Sequence, residues 1–312
     1  MEFEQEGIRL FDQLQIRYYG LIIVLAMLVA AWVAARLAKR DGRDPEHIWG
    51  ALTWAIIPGI VLARLWFVFF PPISLTLGCS TPSPTDVCRD LSWMLQNITN
   101  LQNGPLAIWS GGLSIFGAVI GGGLGAYIYI RRNKLQLGAW MDIAAIALPL
   151  GQAIGRWANW VNQELYGTVT TLPWGLTIDS AHRVAPFGST VDYPVATTLF
   201  HPLFLYESLW SILAFILLLN LFQRYRSRLI PGDLFLIYVM QYSVIRFLLE
   251  FIRVEVTLVG AINLSQLVCI IAFLGALLFF IYRHRPGAVA AERLPDPPRE
   301  PQPAAAAAVE QK

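Results

Sequence analysis

The chain has 312 residues, of which 56% are hydrophobic and only 14% are charged, and its formal net charge is +2. Soluble domains carry about 25% charged residues and at most about half apolar ones. Together with a mean hydropathy of +0.53, this composition excludes an ordinary soluble domain. The sequence shows no basic face of the kind that binds nucleic acid, so we expect no nucleic-acid partner.

Seven apolar blocks follow one another along the chain, and each is long enough to cross a membrane, which takes about 20 apolar residues. They fall near residues 18–38, 48–70, 107–130, 139–158, 203–222, 231–252 and 262–282. The first block is too long, and ends too basic, for a cleaved signal peptide. The sequence therefore predicts an all-α polytopic membrane protein with about seven transmembrane helices that sits in the bilayer.

Lysine and arginine mark one side of the predicted membrane domain. They cluster after the first, third, fifth and seventh blocks, at 39–43, 131–134, 224–228 and 283–285. Short loops rich in these residues stay in the cytoplasm. The amino terminus is therefore predicted to lie outside and the carboxyl terminus in the cytoplasm.

The chain outside the apolar blocks divides into segments of different character. Two outer segments, 71–105 and 159–202, are long enough to form a small extracytoplasmic head, and the second has the composition of short strands. We expect residues 1–285 to form the membrane domain. The Pro- and Ala-rich remainder, 286–312, is predicted to be a disordered cytoplasmic tail.

The three cysteines allow limited inference. Cys79 and Cys88 fall in the first outer segment, where a disulfide and two unpaired thiols are both compatible with the sequence. Cys269 lies inside the last apolar block and is read as a small packing residue.

Polar residues crowd the end of the fourth apolar block. Arg156 and Asn159 are three residues apart, so they share a face if the helix continues, and Asn162, Glu164 and Gly167 follow. Ionisable groups within a membrane span are costly and indicate function by default.

A second polar set lies in the sixth block, where Tyr242, Arg246 and Glu250 recur at intervals of four and form one stripe on a helix. One reading is structural, with buried ion pairs Arg246–Glu250 and Arg156–Glu164 holding helices together. The other is a site for an anion, since paired guanidiniums suit phosphate. At the outer leaflet, such a site indicates a phospholipid.

The segment GQAIGRWANWVNQELYG at 151–167 closely resembles the signature of the prolipoprotein diacylglyceryl transferase family. Four further stretches resemble the same family in the same order. They are Tyr19-Gly20-Leu21, LPWG at 172–175, HPLFLYES at 201–208, and the stripe Tyr242, Arg246 and Glu250.

The resemblance implies a bacterial cytoplasmic (inner) membrane enzyme with a central cavity. It implies transfer of the sn-1,2-diacylglyceryl group of phosphatidylglycerol to the lipobox cysteine of prolipoproteins, with no cofactor and no metal. The implied catalytic residues are Arg156, Arg246, Tyr19 and Glu250. The implied phosphatidylglycerol-binding residues are Arg156, Asn159, Asn162, Glu164, Gly167, Tyr242 and Arg246.

One position departs from the family pattern. Phe116 stands where many members place a histidine that is often proposed as the general base, and phenylalanine cannot accept a proton. The remaining candidates for the base are Glu250, Glu164, Glu207 and His201. A lipid-binding relative without catalysis stays open as the alternative. An organic-anion transporter is disfavoured because no internal repeat is visible.

Overall fold

The computed structural model describes residues 2–4, 7–10, 14–70, 91–100, 104–107, 112–256, 258–259, 261–287 and 292–297. Cys79 and Cys88 lie outside the described residues, as do most of the first predicted outer segment and most of the tail after residue 287. The predictions made for these parts stay predictions.

Eight helices are present among the described residues. They are α1 (Tyr18–Arg40), α2 (Glu46–Phe69), α3 (Leu91–Gln96), α4 (Ile115–Arg132), α5 (Leu137–Val161), α6 (Leu203–Tyr225), α7 (Asp233–Leu249) and α8 (Leu264–Arg283).

Five of these helices, α1, α2, α5, α6 and α8, are long and apolar enough to cross a membrane. The polytopic membrane character is thereby confirmed. Helices α4 and α7 coincide with the other two predicted spans. However, α7 has only 17 residues, and α4 is rich in glycine and ends in two arginines. Seven spans in total therefore stays a prediction.

The strands are short and lie in three small antiparallel sheets. Directly before α1, β1 (Glu2–Glu4), β2 (Gly7–Leu10) and β3 (Leu14–Arg17) form a three-stranded sheet that the sequence did not predict. Between α5 and α6, β4 (Val169–Thr170) pairs with β5 (Leu199–Phe200), which confirms the short strands expected there. The third sheet pairs β6 (Leu258–Val259) with β7 (Ile262–Asn263).

The chain divides into two compact units. The first comprises Met1–Gly42 and Gly138–Leu294, and it holds α1 together with α5 to α8. The second comprises Arg43–Leu137 and Pro295–Lys312, and it holds α2 to α4.

In the second unit, α2 and α4 pack through glycines. Gly117, Gly121 and Gly125 recur every four residues and so lie on one face of α4. A Cβ atom built at Gly121 would overlap the Pro58 carbonyl oxygen, and one at Gly125 would overlap the Trp54 carbonyl oxygen. The glycines therefore let the two backbones approach closely, as small residues do between membrane helices.

Arg64 in α2 has a structural function in the same unit. Its Nε donates to the Pro105 carbonyl oxygen at 2.7 Å, Nη2 to Gly104 at 2.7 Å and Nη1 to Gly112 at 3.0 Å. This buried guanidinium therefore satisfies backbone carbonyls in the segments that precede α4.

In the first unit, Asp142 of α5 holds the start of α7. Its Oδ1 accepts hydrogen bonds from the N–H groups of Leu234 at 2.9 Å and Phe235 at 3.2 Å, and its Oδ2 accepts one from Gly232 at 2.9 Å. The first N–H groups of a helix have no partner within the helix, and a carboxylate there also complements the helix dipole. The contact sets the register of α7 against α5, and α7 carries the predicted site residues Tyr242 and Arg246, with Glu250 directly after its end.

Replacing Gly121 by Ala should lower the free energy of unfolding by about 1–3 kcal/mol, because overpacked interiors cost this much. The measurement is thermal unfolding of the purified protein in detergent. Gly123→Ala is the matched control, since a Cβ at Gly123 meets nothing within 4 Å. Equal midpoints for the two variants would contradict the proposed packing of α2 on α4.

Replacing Asp142 by Ala should lower the free energy of unfolding by about 3–5 kcal/mol, because this buried carboxylate also pairs with Arg293 at 2.7 Å and its removal leaves all of its partners unsatisfied. Asp142→Asn is the control, since its amide oxygen still accepts from the backbone of α7. Unfolding curves in denaturant should place Asn between Ala and the native chain. An Ala variant as stable as the Asn variant would refute this anchoring role.

Candidate functional site

Two partly buried arginines and two buried glutamates, on or directly after three helices, form one cluster in the first unit. Arg156 of α5 forms an ion pair with Glu207 of α6 through Nη2 and Oε2. Nη1 of Arg246 in α7 lies 3.7 Å from the other oxygen of Glu207, and Nη2 of Arg246 lies 2.9 Å from Oε2 of Glu250. Glu207 is 5% exposed and Glu250 4%. Both guanidiniums therefore converge on Glu207.

The ion pairs differ in part from those expected. The pair Arg246–Glu250 is confirmed, but the pair Arg156–Glu164 is wrong. Helix α5 ends at Val161, and the chain then turns through Gln163, which has a φ of 49°. This turn folds Glu164 back onto Asn159, whose Nδ2 donates to Glu164 Oε1 at 2.8 Å.

A line of polar contacts runs between α5 and α7. Nη2 of Arg156 lies 3.5 Å from the hydroxyl oxygen of Tyr242. One helical turn earlier on both helices, Gln152 Nε2 donates to the Tyr238 hydroxyl at 2.8 Å, and the rings of Tyr238 and Tyr242 stack. Gln152 and Tyr238 were not predicted as site residues. Their spacing of four residues from Arg156 and Tyr242 was the available signal.

Gly167 joins three parts of the first unit. Its N–H donates to the His201 carbonyl oxygen at 2.9 Å, and the next N–H, of Thr168, donates to Ile252 at 2.7 Å. A Cβ at Gly167 would lie 2.7 Å from the His201 Cβ and 2.8 Å from the Ile252 oxygen. Only glycine therefore fits where the segment after α5 meets the start of α6 and the turn after α7.

Arg253, in the turn after α7, adds a third guanidinium to the cluster. Burial, together with the neighbouring Arg246 cation, holds the pKa of Arg253 below its usual range, while Glu250 and Glu207 oppose this shift. Its buried Nε has no hydrogen-bond partner among the described residues. Arg253 was not predicted as a site residue, although it follows Glu250 of the polar stripe by only three residues.

Two family motifs meet at Tyr206. Trp174 Nε1 donates to the Tyr206 hydroxyl oxygen at 2.9 Å, and that oxygen lies 3.1 Å from His201 Nδ1. Since the indole N–H can only donate, the hydroxyl proton of Tyr206 is free to bond to His201. The LPWG and HPLFLYES stretches are thus hydrogen-bonded to each other.

The remaining predicted residues differ in their relation to the two arginines. Tyr19, at the start of α1, lies close enough to Arg156 and Glu164 to interact electrostatically with both. Asn162 follows α5, and its N–H donates to the Ala158 carbonyl oxygen, but no side-chain hydrogen bond joins it to either arginine in the described chain. Phe116 belongs to the second unit, where its 56% exposed ring lies 5.8 Å from that of Trp66.

The cluster retains unused hydrogen-bonding capacity. Three buried side-chain atoms of the cluster form ion pairs but no hydrogen bond within the described residues. They are Arg246 Nη1, Glu207 Oε2 and Glu250 Oε2. Guanidiniums with open donors bind oxyanions strongly, and phosphate in particular. The arrangement can therefore receive an anion with several oxygen atoms.

Comparison with known proteins identifies the family. Residues 7–282 match the family model described as prolipoprotein diacylglyceryl transferase. Relatives named phosphatidylglycerol–prolipoprotein diacylglyceryl transferase include one from Chloroflexus aggregans, 37% identical over 86% of this chain and 86% of its own length. Others come from Synechococcus elongatus, 33% identical over 90% and 89%, and Corynebacterium glutamicum, 36% identical over 88% and 81%. The chain therefore belongs to the prolipoprotein diacylglyceryl transferase family.

Proposed function

We propose that this chain transfers the sn-1,2-diacylglyceryl group of phosphatidylglycerol to the lipobox cysteine thiol of prolipoproteins. The products are a thioether-linked lipoprotein precursor and glycerol 1-phosphate. The observation that carries the proposal is the convergence of Arg156 and Arg246, from two different helices, on one buried point. A phospholipid phosphate provides the charge that such a pair accommodates.

Both arginines stabilise the phosphate leaving group in the proposed reaction. The phosphate oxygen bonded to the diacylglyceryl carbon gains charge as the bond breaks, and fixed guanidiniums stabilise that charge. Glu250 keeps Arg246 oriented through its contact one turn along α7. Tyr242 does the same for Arg156 across the helix interface.

The other proposed headgroup residues surround this pair. Asn159 and Glu164 are hydrogen-bonded to each other beside Arg156, and Tyr19 approaches from α1. We place Asn162 at the rim of the subsite because it directly follows α5. Gly167 contributes through close packing of the segments that carry His201 and Arg253.

The proposed orientation has the amino terminus outside and the carboxyl terminus in the cytoplasm, in the bacterial inner membrane. Helices α1, α6 and α8 each end in basic residues, which are retained on the cytoplasmic side. The arginine pair lies near the ends of α5 and α7, and Glu207 lies near the start of α6. In the proposed orientation the site lies in the outer half of the bilayer, where a lipobox cysteine is accessible after export.

The alternative is a lipid-binding relative without catalysis, and Phe116 is the feature that motivates it. The discriminating observation is release of glycerol phosphate from phosphatidylglycerol vesicles on addition of a lipobox peptide. Repeated turnover by the purified chain supports the enzyme. Lipid binding without release supports the alternative, and Phe116→His is then the variant to measure.

Replacing either Arg156 or Arg246 by Ala should lower the rate of diacylglyceryl transfer at least about 100-fold, the usual cost of losing one donor to a developing oxyanion. The measurement is glycerol phosphate release in vesicles, with growth of a conditional transferase-null bacterium as the test in cells. Arg156→Lys should also be impaired, since an ammonium does not reproduce the planar guanidinium fork that binds phosphate through two nitrogens at once.

The matched control for these arginine variants is Arg285→Ala, which removes a guanidinium that lies over the Tyr282 ring just after α8. Its transfer rate should equal that of the native chain. Native rates for Arg156→Ala and Arg246→Ala, in protein recovered from the membrane in normal yield, would contradict the proposed headgroup site.

A further inference from the structure

The point at which the two arginines converge is already occupied by a carboxylate. Glu207 contacts Nη2 of Arg156 with one oxygen and approaches Nη1 of Arg246 with the other. A phosphodiester bound by both guanidiniums needs these same donors. The lipid headgroup and Glu207 therefore compete for one pair of cations.

The other two carboxylates near the site are differently placed. Glu164 accepts a hydrogen bond from Asn159, and Glu250 pairs with Arg246 on its own helix. Neither Glu164 nor Glu250 contacts both arginines in the described structure. A phosphate bound between the arginines therefore does not separate either glutamate from its partner. Glu207 is the carboxylate whose surroundings change most when a headgroup binds.

The consequence for Glu207 follows from electrostatics. A carboxylate favours its ionised form beside cations and its protonated form beside another anion or in apolar surroundings. Glu207 is buried and faces Arg156 on α5, with Arg246 of α7, Glu250 just after α7 and the partly buried Arg253 nearby. A bound phosphate pairs with Arg156 and Arg246 and brings its own negative charge close to Glu207.

Resting on the function proposed above, we propose that Glu207 is the catalytic carboxylate that accepts the proton of the lipobox thiol. Binding of the phospholipid prepares it for this step by drawing Arg156 and Arg246 onto the phosphate. The role is one that Phe116 cannot fill. In this mechanism the thiol is deprotonated only when the lipid is bound.

The step balances without a co-reactant. The thiol proton moves to Glu207 while a sulfur electron pair forms the bond to the terminal glyceryl carbon. The bond between that carbon and the phosphate oxygen breaks, and its electron pair leaves with glycerol phosphate. Glu207 then passes the proton to the departing phosphate monoester, and its ion pairs with the two arginines form again.

The test is Glu207→Gln in the purified full chain, measured as glycerol phosphate release from phosphatidylglycerol vesicles with a lipobox peptide. At pH 7 kcat should fall at least about 100-fold, which is the usual contribution of a general base. The KM for phosphatidylglycerol should not rise, because the neutral amide no longer competes for the arginines. The loss should shrink as the pH approaches about 8.5, where a free thiol ionises unaided.

Glu250→Gln is the matched control. It removes a carboxylate that orients one arginine, so it should raise KM for the lipid and should not be relieved at high pH. Glu207→Asp is the second variant at the position itself. It retains a carboxylate, and its kcat at pH 7 should exceed that of Glu207→Gln at least about tenfold.

The outcomes separate the two proposals. No release by the native chain overturns the proposed function itself. With the native chain active, a Gln variant of normal kcat at pH 7 overturns the role of Glu207. A Gln variant whose KM is raised and whose kcat does not recover at high pH also overturns it. Equal losses of kcat in the Gln and Asp variants do so too, since both results indicate a structural ion pair.

Discussion

The ion pairs of Glu207 are the interaction on which the rest of the site depends. A charge within a membrane span is costly, so charged groups there face one another rather than lipid. Glu207 of α6 satisfies the guanidinium of Arg156 on α5 and approaches that of Arg246 on α7. Breaking such a buried pair by removing one partner costs about 3–5 kcal/mol, yet hydrophobic residues would hold these helices equally well. The stability that the pair adds therefore does not account for its presence, whereas the proposed binding of a phosphate does.

Helix α7 is held at both ends so that its polar stripe faces the other helices of the site. At its start, Asp142 accepts hydrogen bonds from the N–H groups of Gly232, Leu234 and Phe235, which lie within one turn. Beyond its end, Ile252 and Arg253 pair with the backbone at Gly167 and Thr168. Fixing a helix of 17 residues at both ends sets its rotation, and with it the distance from Arg246 to Glu207.

Regular spacing along single helices was the part of the site that the sequence could predict. Tyr242, Arg246 and Glu250 recur every four residues, and the predicted pair Arg246–Glu250 is present because both members belong to one run of chain. The apolar blocks likewise predicted six of the seven long helices to within three residues at each end, since the length needed to span a bilayer is fixed by physics. Only α4 begins later than predicted, at Ile115 instead of residue 107.

Contacts between helices were the part that the sequence could not predict. Arg156 pairs with Glu207, 51 positions away, and not with the nearby Glu164, because a left-handed turn at Gln163 redirects the chain after α5. The contact between Gln152 and Tyr238 depends on the packing of two helices in the same way. The sheet before α1 was missed because its strands have only three or four residues each, too few for their alternation of apolar and polar residues to indicate a strand.

The most direct test of the central claim is a structure of the full chain in a bilayer nanodisc containing phosphatidylglycerol. The account predicts a headgroup phosphate between the guanidiniums of Arg156 and Arg246, with the carboxylate of Glu207 moved off both. A phosphate bound elsewhere, with the pair Arg156–Glu207 intact, would contradict it.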